Sequence, residues 1–378
     1  MKRILVKFYS ARNFGDDLFI DILMERFGDC RIDLLSSMKY NPRPHQPHTR
    51  VHPYSHVDEP LWCLCARVNR RTKAGKLLEI LPRLCQKGLI LSHDAYVRIG
   101  GSIFMDEGQP EEEIGFSAGI PPVFDYTSRP RSSGNTFLIG ANLGPVYSDS
   151  YWNTTRDAFL SFRHVCVRDY ASYQAMRDLP HVQYAPDVVF LARQPEPADR
   201  GENVVISVVD ISRHTTDAAV RDAYFGLLRD TIGALASRNI PVTLVSFCKA
   251  EGDEDAIDHL MSLLPDRSGV SVCCYDGNIP KLLSLLSDAT YIIASRFHAM
   301  ILALSFGKPV FPISYNCKSR HYLEDLDFRG KFASLSDLPE TTVEDVLYNY
   351  DHRIITDCSL HKQHAQNQFR ALREFLDK

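Results

Sequence analysis

Short β-branched and aromatic runs, each followed by a stretch with apolar residues at helical spacing, recur along most of this 378-residue chain. A strand apolar on both faces must be covered on both. A chain that alternates such strands with helices covers them by right-handed crossovers onto a parallel sheet. In the first half the pattern predicts strands over residues 3–9, 31–35, 95–101, 137–143 and 165–167. Helices are predicted over 14–27, 61–86, 151–162 and 169–177. Residues 194–202 read Gln-Pro-Glu-Pro-Ala-Asp-Arg-Gly-Glu, from which no core can be built, so a domain boundary falls there. The rhythm then restarts, with strands expected at 204–209, 242–247, 270–274, 291–294 and 310–313. Helices fill the gaps at 217–237, 253–264, 280–287 and 297–306, and a terminal helix is expected over 358–378. The fold class is therefore α/β, with two Rossmann-like parallel-sheet domains facing a cleft. The expected limits are 1–193 and 203–345, with a helical tail over 346–378. Residues 38–60 and 105–135 are Pro-rich and read as long loops.

Composition narrows the partners. Hydrophobic residues make up 44% and charged residues 24%, ordinary for a globular protein. Lys and Arg number 43 against 47 Asp and Glu, a formal net charge of −4, without the basic excess of a nucleic-acid binder. No apolar run approaches the ~20 residues of a membrane span. The apolar stretch near the N-terminus is too short for a signal peptide. A cytoplasmic location is expected, where the 10 scattered Cys, with no CxxC pair, read as buried free thiols. Arg67, Arg70, Arg71, Lys73 and Lys76 form either a solvated helix face or a contact with the anionic inner face of a membrane. The loop with His45, His48, His52 and His56 is broken by Pro42, Pro44, Pro47 and Pro53 and lacks a carboxylate set, so no metal site is expected.

In open parallel sheets ligands sit beyond the carboxyl ends of the strands, so loops just after strands are where chemistry is sought. The strongest such segment is Ser295-Arg296-Phe297-His298, followed by Gly307-Lys308-Pro309. Ser295 is expected to cap a helix whose first turn carries Arg296 and His298. A helix start attracts anions, Arg adds a bidentate donor, and His transfers a proton near neutral pH. The alternative is a His packed on the sheet and an Arg in a structural ion pair. Asn13-Phe14-Gly15-Asp16-Asp17 follows the first strand, with Gly15 allowing a tight turn and Asp16 or Asp17 either capping the helix or meeting a substrate. Gly100-Gly101-Ser102 and Ala141-Asn142-Leu143-Gly144-Pro145 also follow strands, and a glycine pair permits close backbone approach to a ligand. Arg168 either faces the cleft or pairs with Asp169 or Asp187, and Asp187 itself reads as structural. Tyr315 and Lys318 follow the last strand of the second sheet, with Lys318 placed to add a cation.

Taken together, these segments resemble the polysaccharide pyruvyl transferase family. They occur in the family's order and span residues 3 to 318, with Ser102 departing from the family's third glycine. The resemblance implies a GT-B-like architecture and a ketal-forming reaction. Phosphoenolpyruvate would be the donor, and the acceptor a glycan, lipid-linked or nucleotide-linked sugar. No cofactor or metal is implied. It also implies that Arg296 and His298 belong to an active site. On that reading His298 is the acid, Arg296, Lys318 and Arg168 hold the donor's anionic groups, and Asp16 or Asp17 handles an acceptor hydroxyl. Asn13, Gly15, Gly100, Gly101, Ser102, Asn142, Ser295 and Tyr315 complete the expected set of contacts. Two other readings remain at this stage. One is a nucleotide-sugar-dependent glycosyltransferase of GT-B type or an epimerase on the same scaffold, and the other is a non-catalytic glycan- or nucleotide-binding protein.

Overall fold

A computed structural model describes residues 1–9, 11–36, 49–53, 92–106, 134–196, 198, 201–315 and 317–378. The expected helix over 61–86, its basic run, most of the His-rich loop and most of the loop over 105–135 lie outside the described residues.

Two compact units result. The first holds residues 1–11, 19–188 and 364–378, the second 12–18 and 189–363. The expected limits shift: the second unit begins at 189 and takes in 346–363 of the expected tail. Residues 364–378 return to the first unit, and the short segment 12–18 belongs with the second.

The first unit is a parallel sheet of β1 (Arg3–Lys7), β2 (Arg31–Ser36), β3 (Thr49–Pro53), β4 (Ala95–Ile99), β5 (Thr136–Ala141), β6 (His164–Val167) and β7 (Val182–Tyr184). Its order is β3-β2-β1-β4-β5-β6-β7. The second is a parallel sheet of β8 (Val204–Ser207), β9 (Val242–Ser246), β10 (Val270–Cys274), β11 (Tyr291–Ala294), β12 (Val310–Ser314) and β13 (Ala333–Ser334), ordered β10-β9-β8-β11-β12-β13. Strand order reverses between β1 and β4 in one sheet and between β8 and β11 in the other. These are the switch points where a parallel sheet opens a crevice at its carboxyl edge.

The central strands are buried along their whole length: β4, β5, β8, β9, β11 and β12 have every residue buried, polar ones such as Arg98, Thr243 and Ser246 included. In the second unit Val204, Ile206, Leu244, Ile293 and Phe311 from the strands pack with Tyr224, Leu228, Ile257 and Val346 from the helices into one core. At about 25 cal/mol per Å² of apolar area, such burial is the main force holding each sheet to its helices.

Two short strands, β7 and β13, and the helix Cys317–Asp325 were not expected from the sequence. The two strands are too short to show a period. A third, β3, falls inside the expected loop over 38–60, where it pairs in parallel with β2. The helix Val343–Asp351 starts at a capping box, Thr342 with Asp345, a signal present in the sequence. The tail is not one helix. It runs Ser359–Ala365, breaks into a 3-10 turn at Gln366–Phe369, and resumes at Arg370–Leu376.

That break turns Gln368 inward. Its amide N–H donates to the carbonyls of Ala185 (2.7 Å), Pro186 (3.2 Å) and Val167 (3.3 Å), and its oxygen accepts from the Gly140 N–H at 2.9 Å. Gly140, at φ 72°, forms a bulge in β5 that frees this N–H from the ladder. Gln368 thus ties the end of the chain to the carboxyl ends of three strands.

His164, at the start of β6, is half-buried. Burial first, then the neighbouring His181 and Arg163, push its pKa down to about 4. A folded-state pKa below the unfolded value of about 6.5 means the native state binds fewer protons. The stabilisation is complete above that value and is lost as pH falls toward 4. The expected result is a loss of about 1–3 kcal/mol from this site between neutral pH and pH 4. Urea midpoints measured over this range should fall less steeply for His164→Gln than for the parent; equal slopes would exclude His164 as the source.

Cys30, Cys166, Cys248 and Cys358 are buried free thiols, and burial pushes Cys166 up to about 12. No helix among the described residues is long and apolar enough to cross a membrane.

Candidate active site

In the second unit the carboxyl edge around β8, β9 and β11 carries part of the set that the sequence singled out. The helix Phe297–Ser305 starts directly after β11, but Arg296, not Ser295, is its N-cap, and its side chain makes no capping bond. Ser295 is 2% exposed, and its hydroxyl shares a 3.0 Å hydrogen bond with Tyr224. Ser295 therefore faces the core and presents nothing to a substrate. The backbone of this junction is fixed by Ser207 at the end of β8: its carbonyl accepts from the Ser295 N–H at 3.3 Å and its hydroxyl from the Arg296 N–H at 3.1 Å.

Arg296 is placed differently from the expected open clamp. It is 8% exposed, and its guanidinium is bidentate to Asp253, with Nε donating to Oδ2 at 3.0 Å and Nη2 to Oδ1. Nη1 donates to Glu251. Asp253 also accepts from the backbone N–H groups of Phe247 (2.9 Å) and Cys248 (3.0 Å). Burial alone would lower the Arg296 pKa, but Asp253 and Glu251 outweigh it and hold it well above its ordinary value. Burial would likewise raise the Glu251 pKa, but Arg296 brings it below the usual carboxylate range. The cation is thus matched by two carboxylates of its own unit. Physically, a guanidinium so enclosed builds the site and does not offer its charge to a ligand.

The segment Asn13-Phe14-Gly15-Asp16-Asp17 packs on this cluster. Asn13 Nδ2 donates to Glu251 at 3.1 Å, and Asn13 Oδ1 accepts from the Gly15 N–H at 3.0 Å. The Phe14 N–H donates to the Phe247 carbonyl at 3.0 Å, and its ring meets Phe247 and Tyr275 edge-on at 4.9 and 5.2 Å. Asp17 is 4% exposed and accepts from the Tyr275 hydroxyl at 2.8 Å, so it anchors the segment instead of meeting a substrate. Asp16 is half-buried in the first turn of the helix Phe14–Arg26.

His298 is half-buried in the first turn of the helix Phe297–Ser305. Its imidazole occupies the space that a side chain on Gly15 would take: a Cβ there would lie 1.7 Å from Nδ1. Gly15 is needed for the ring, and not for a turn. The expected result for Gly15→Ala follows. Alanine favours the helix by about 1 kcal/mol, and the ring can rotate away, so the protein should stay folded. A displaced imidazole should lower turnover by about 10²-fold. Initial rates beside a thermal melt check this; an unchanged rate would mean the ring's seat is irrelevant.

Tyr315 follows β12 and stacks on His214 from the loop after β8, with ring centroids 3.9 Å apart and planes at 19°. Lys318 lies in the helix Cys317–Asp325, and its side chain is outside the described residues.

The first unit holds a second cluster at the ends of β4, β5 and β6. Arg168 is 4% exposed, with Nη1 donating to Asp187 at 2.9 Å and Nη2 to Asn142 Oδ1 at 2.7 Å. The pairing with Asp187, one of the options that the sequence left open, is the one found. A Cβ on Gly101 would fall 2.4–2.6 Å from the Arg168 guanidinium. Gly101, beside Gly100, therefore makes room for that side chain. Asn142 is 1% exposed, whereas Ser102 is exposed and its hydroxyl donates to Asn142 Oδ1 at 3.3 Å. Of this set only Ser102 reaches the surface.

Glu251, Asp253, Ser207 and Gln368 were missed in the sequence. Glu251 ends a short 3-10 turn after β9 and Asp253 starts the helix Asp253–Leu263, beyond the carboxyl end of a strand, where ligand residues are sought. Two acids two residues apart around Gly252 (φ 84°) were the available signal.

A model of the polysaccharide pyruvyl transferase family matches residues 13–316. The match covers most of the chain, and the chain belongs to this family. It begins at Asn13 and takes in β11, His298 and β12, so both sides of the imidazole's seat lie inside it. Among relatives, the amylovoran biosynthesis protein AmsJ of Erwinia amylovora is 22% identical over 289 residues, 68% of this chain. The chain spans just under two thirds, 66%, of that protein's length. Two solved structures have the same GT-B-like fold. The UDP-GlcNAc 2-epimerase of Methanocaldococcus jannaschii, in complex with UDP-GlcNAc and UDP, is 8% identical, covers 100% of both chains and has a TM-score of 0.59. The enzyme of the same name from Neisseria meningitidis, bound to UDP-GlcNAc, is 10% identical, with 100% of this chain and 99% of that one covered, at TM-score 0.59.

Proposed function

We propose that the protein transfers pyruvate from phosphoenolpyruvate to two hydroxyls of one sugar of an exopolysaccharide or its precursor, forming a cyclic ketal. The observation that carries this reading is the half-buried His298 at the start of a helix on the β8–β11 switch point, seated against Gly15 of the Asn13-to-Asp17 segment. The chemistry needs an acid there. A proton is added to the methylene carbon of the enol, a sugar hydroxyl bonds to the adjacent carbon and phosphate leaves. The second hydroxyl then closes the ring, and the two hydroxyl protons are released. The sum is one donor plus one diol giving one ketal and one phosphate, with no oxidant, reductant or water consumed.

His298 is the proton donor in this scheme. The positive end of the helix Phe297–Ser305 favours an anion beside it. Arg296, committed to Asp253 and Glu251, supports the site from within.

The test is the purified protein with phosphoenolpyruvate and a panel of glycan, lipid-linked and nucleotide-linked acceptors. Phosphate release that depends on acceptor, with a product heavier by one pyruvate less water, is the expected result. Turnover of a UDP-sugar in the same assay, without use of phosphoenolpyruvate, would replace this reading with a glycosyltransferase.

A further inference from the structure

We propose that Glu251 is a positioning residue for His298, holding the imidazole from both sides. One carboxylate oxygen accepts from Asn13 Nδ2 at 3.1 Å, and the other accepts from Arg296 Nη1. Arg296 is the N-cap of the helix that carries His298, two residues before it. Asn13 in turn accepts the Gly15 N–H at 3.0 Å, and Gly15 is the residue against which the ring rests. The side chain of Asn13 can be placed only one way round. Turned over, its NH2 would face the Gly15 N–H and its oxygen would face a carboxylate. Glu251 thus dictates the orientation of Asn13, and Asn13 fixes Gly15. The same carboxylate grips the start of the helix through Arg296. Charge-assisted bonds of this kind are among the stronger hydrogen bonds in proteins, so the arrangement is stiff.

The catalytic consequence rests on the reading of His298 as the acid, whereas the positioning itself does not. A polarity swap tests both. Asn13→Asp keeps the acceptor for Gly15 but sets one carboxylate against another. Glu251→Gln keeps one acceptor but turns an NH2 toward one of two donors. In the double variant the new amide at position 251 donates to the new carboxylate at position 13 and accepts from Arg296, restoring both links at the native net charge.

The readout is the Cε1–Hε1 signal of His298 in full-length protein labelled at histidine, assigned by its loss in His298→Gln. It is expected to move in each single variant and to return in the double. The kcat for pyruvyl transfer should fall about 10²-fold in each single variant, with KM for phosphoenolpyruvate changed less, and recover in the double. Asn13→Ser, which still accepts from Gly15 but lacks the reach to Glu251, should shift the signal as well and serves if Asn13→Asp does not fold. A signal unmoved in the single variants, or moved in them and not restored in the double, would overturn the proposal. A parent protein without pyruvyl transfer would end the catalytic reading, and the signal would still decide the positioning.

Discussion

His298→Gln is expected to melt close to the parent and to lose pyruvyl transfer by about 10²–10⁴-fold, the usual contribution of a general acid. The fold should tolerate the change because His298 lies half-buried at a helix start, outside the packed interior. Glutamine is also a better helix former than histidine. It can donate a hydrogen bond but cannot release a proton to carbon, so the loss would report proton transfer and not binding. KM for phosphoenolpyruvate should change much less than kcat. Phosphate-release rates and a melting curve on the same preparation make the comparison. A variant with a near-parental rate would remove His298 from the chemistry, whatever its place in the fold. Paired with Gly15→Ala, which keeps the imidazole and moves it, the two variants separate the need for the group from the need for its position.

The fold was legible in the sequence because buried parallel strands are predominantly apolar, and a run such as Tyr291–Ala294 shows that without a partner. Boundaries were less legible where side-chain bonds decide them. Gln368 breaks the terminal helix through contacts with Gly140 and Ala185, far away in sequence. The site was legible as a set of loops after strands, but not in the roles of its charges. Arg296 and Arg168 resemble anion clamps until Asp253, Glu251 and Asp187 are placed beside them. An arginine after a strand looks the same in one dimension whether its partner is a ligand or a carboxylate of its own chain. Gly15 and Gly101 carry the same lesson. Gly15 read as a tight turn and Gly101 as close approach to a ligand, and each is room for a side chain, the His298 ring in one case and the Arg168 guanidinium in the other.

Arg296→Met separates these two uses of an arginine. If the guanidinium were an open clamp, the variant would melt normally and lose only activity. The observed geometry leads to a different expectation. The Asp253 side chain has no solvent exposure, and Glu251 retains 22%. Methionine keeps much of the aliphatic volume but leaves Asp253 with only the Phe247 and Cys248 N–H groups to offset its charge. Removing one partner of a buried pair costs about 3–5 kcal/mol, because the other charge is left without compensation. Against a total stability of about 5–15 kcal/mol, that is enough to bring the second unit near its limit at physiological temperature. Arg296→Lys should lie between, since a single ammonium cannot reproduce the bidentate bond to Asp253 and the bond to Glu251 together. Adding Asp253→Asn to Arg296→Met should recover part of the loss by removing the stranded charge. Urea unfolding of the four proteins gives the comparison. A parental midpoint for Arg296→Met, with activity lost, would return Arg296 to the role of anion clamp.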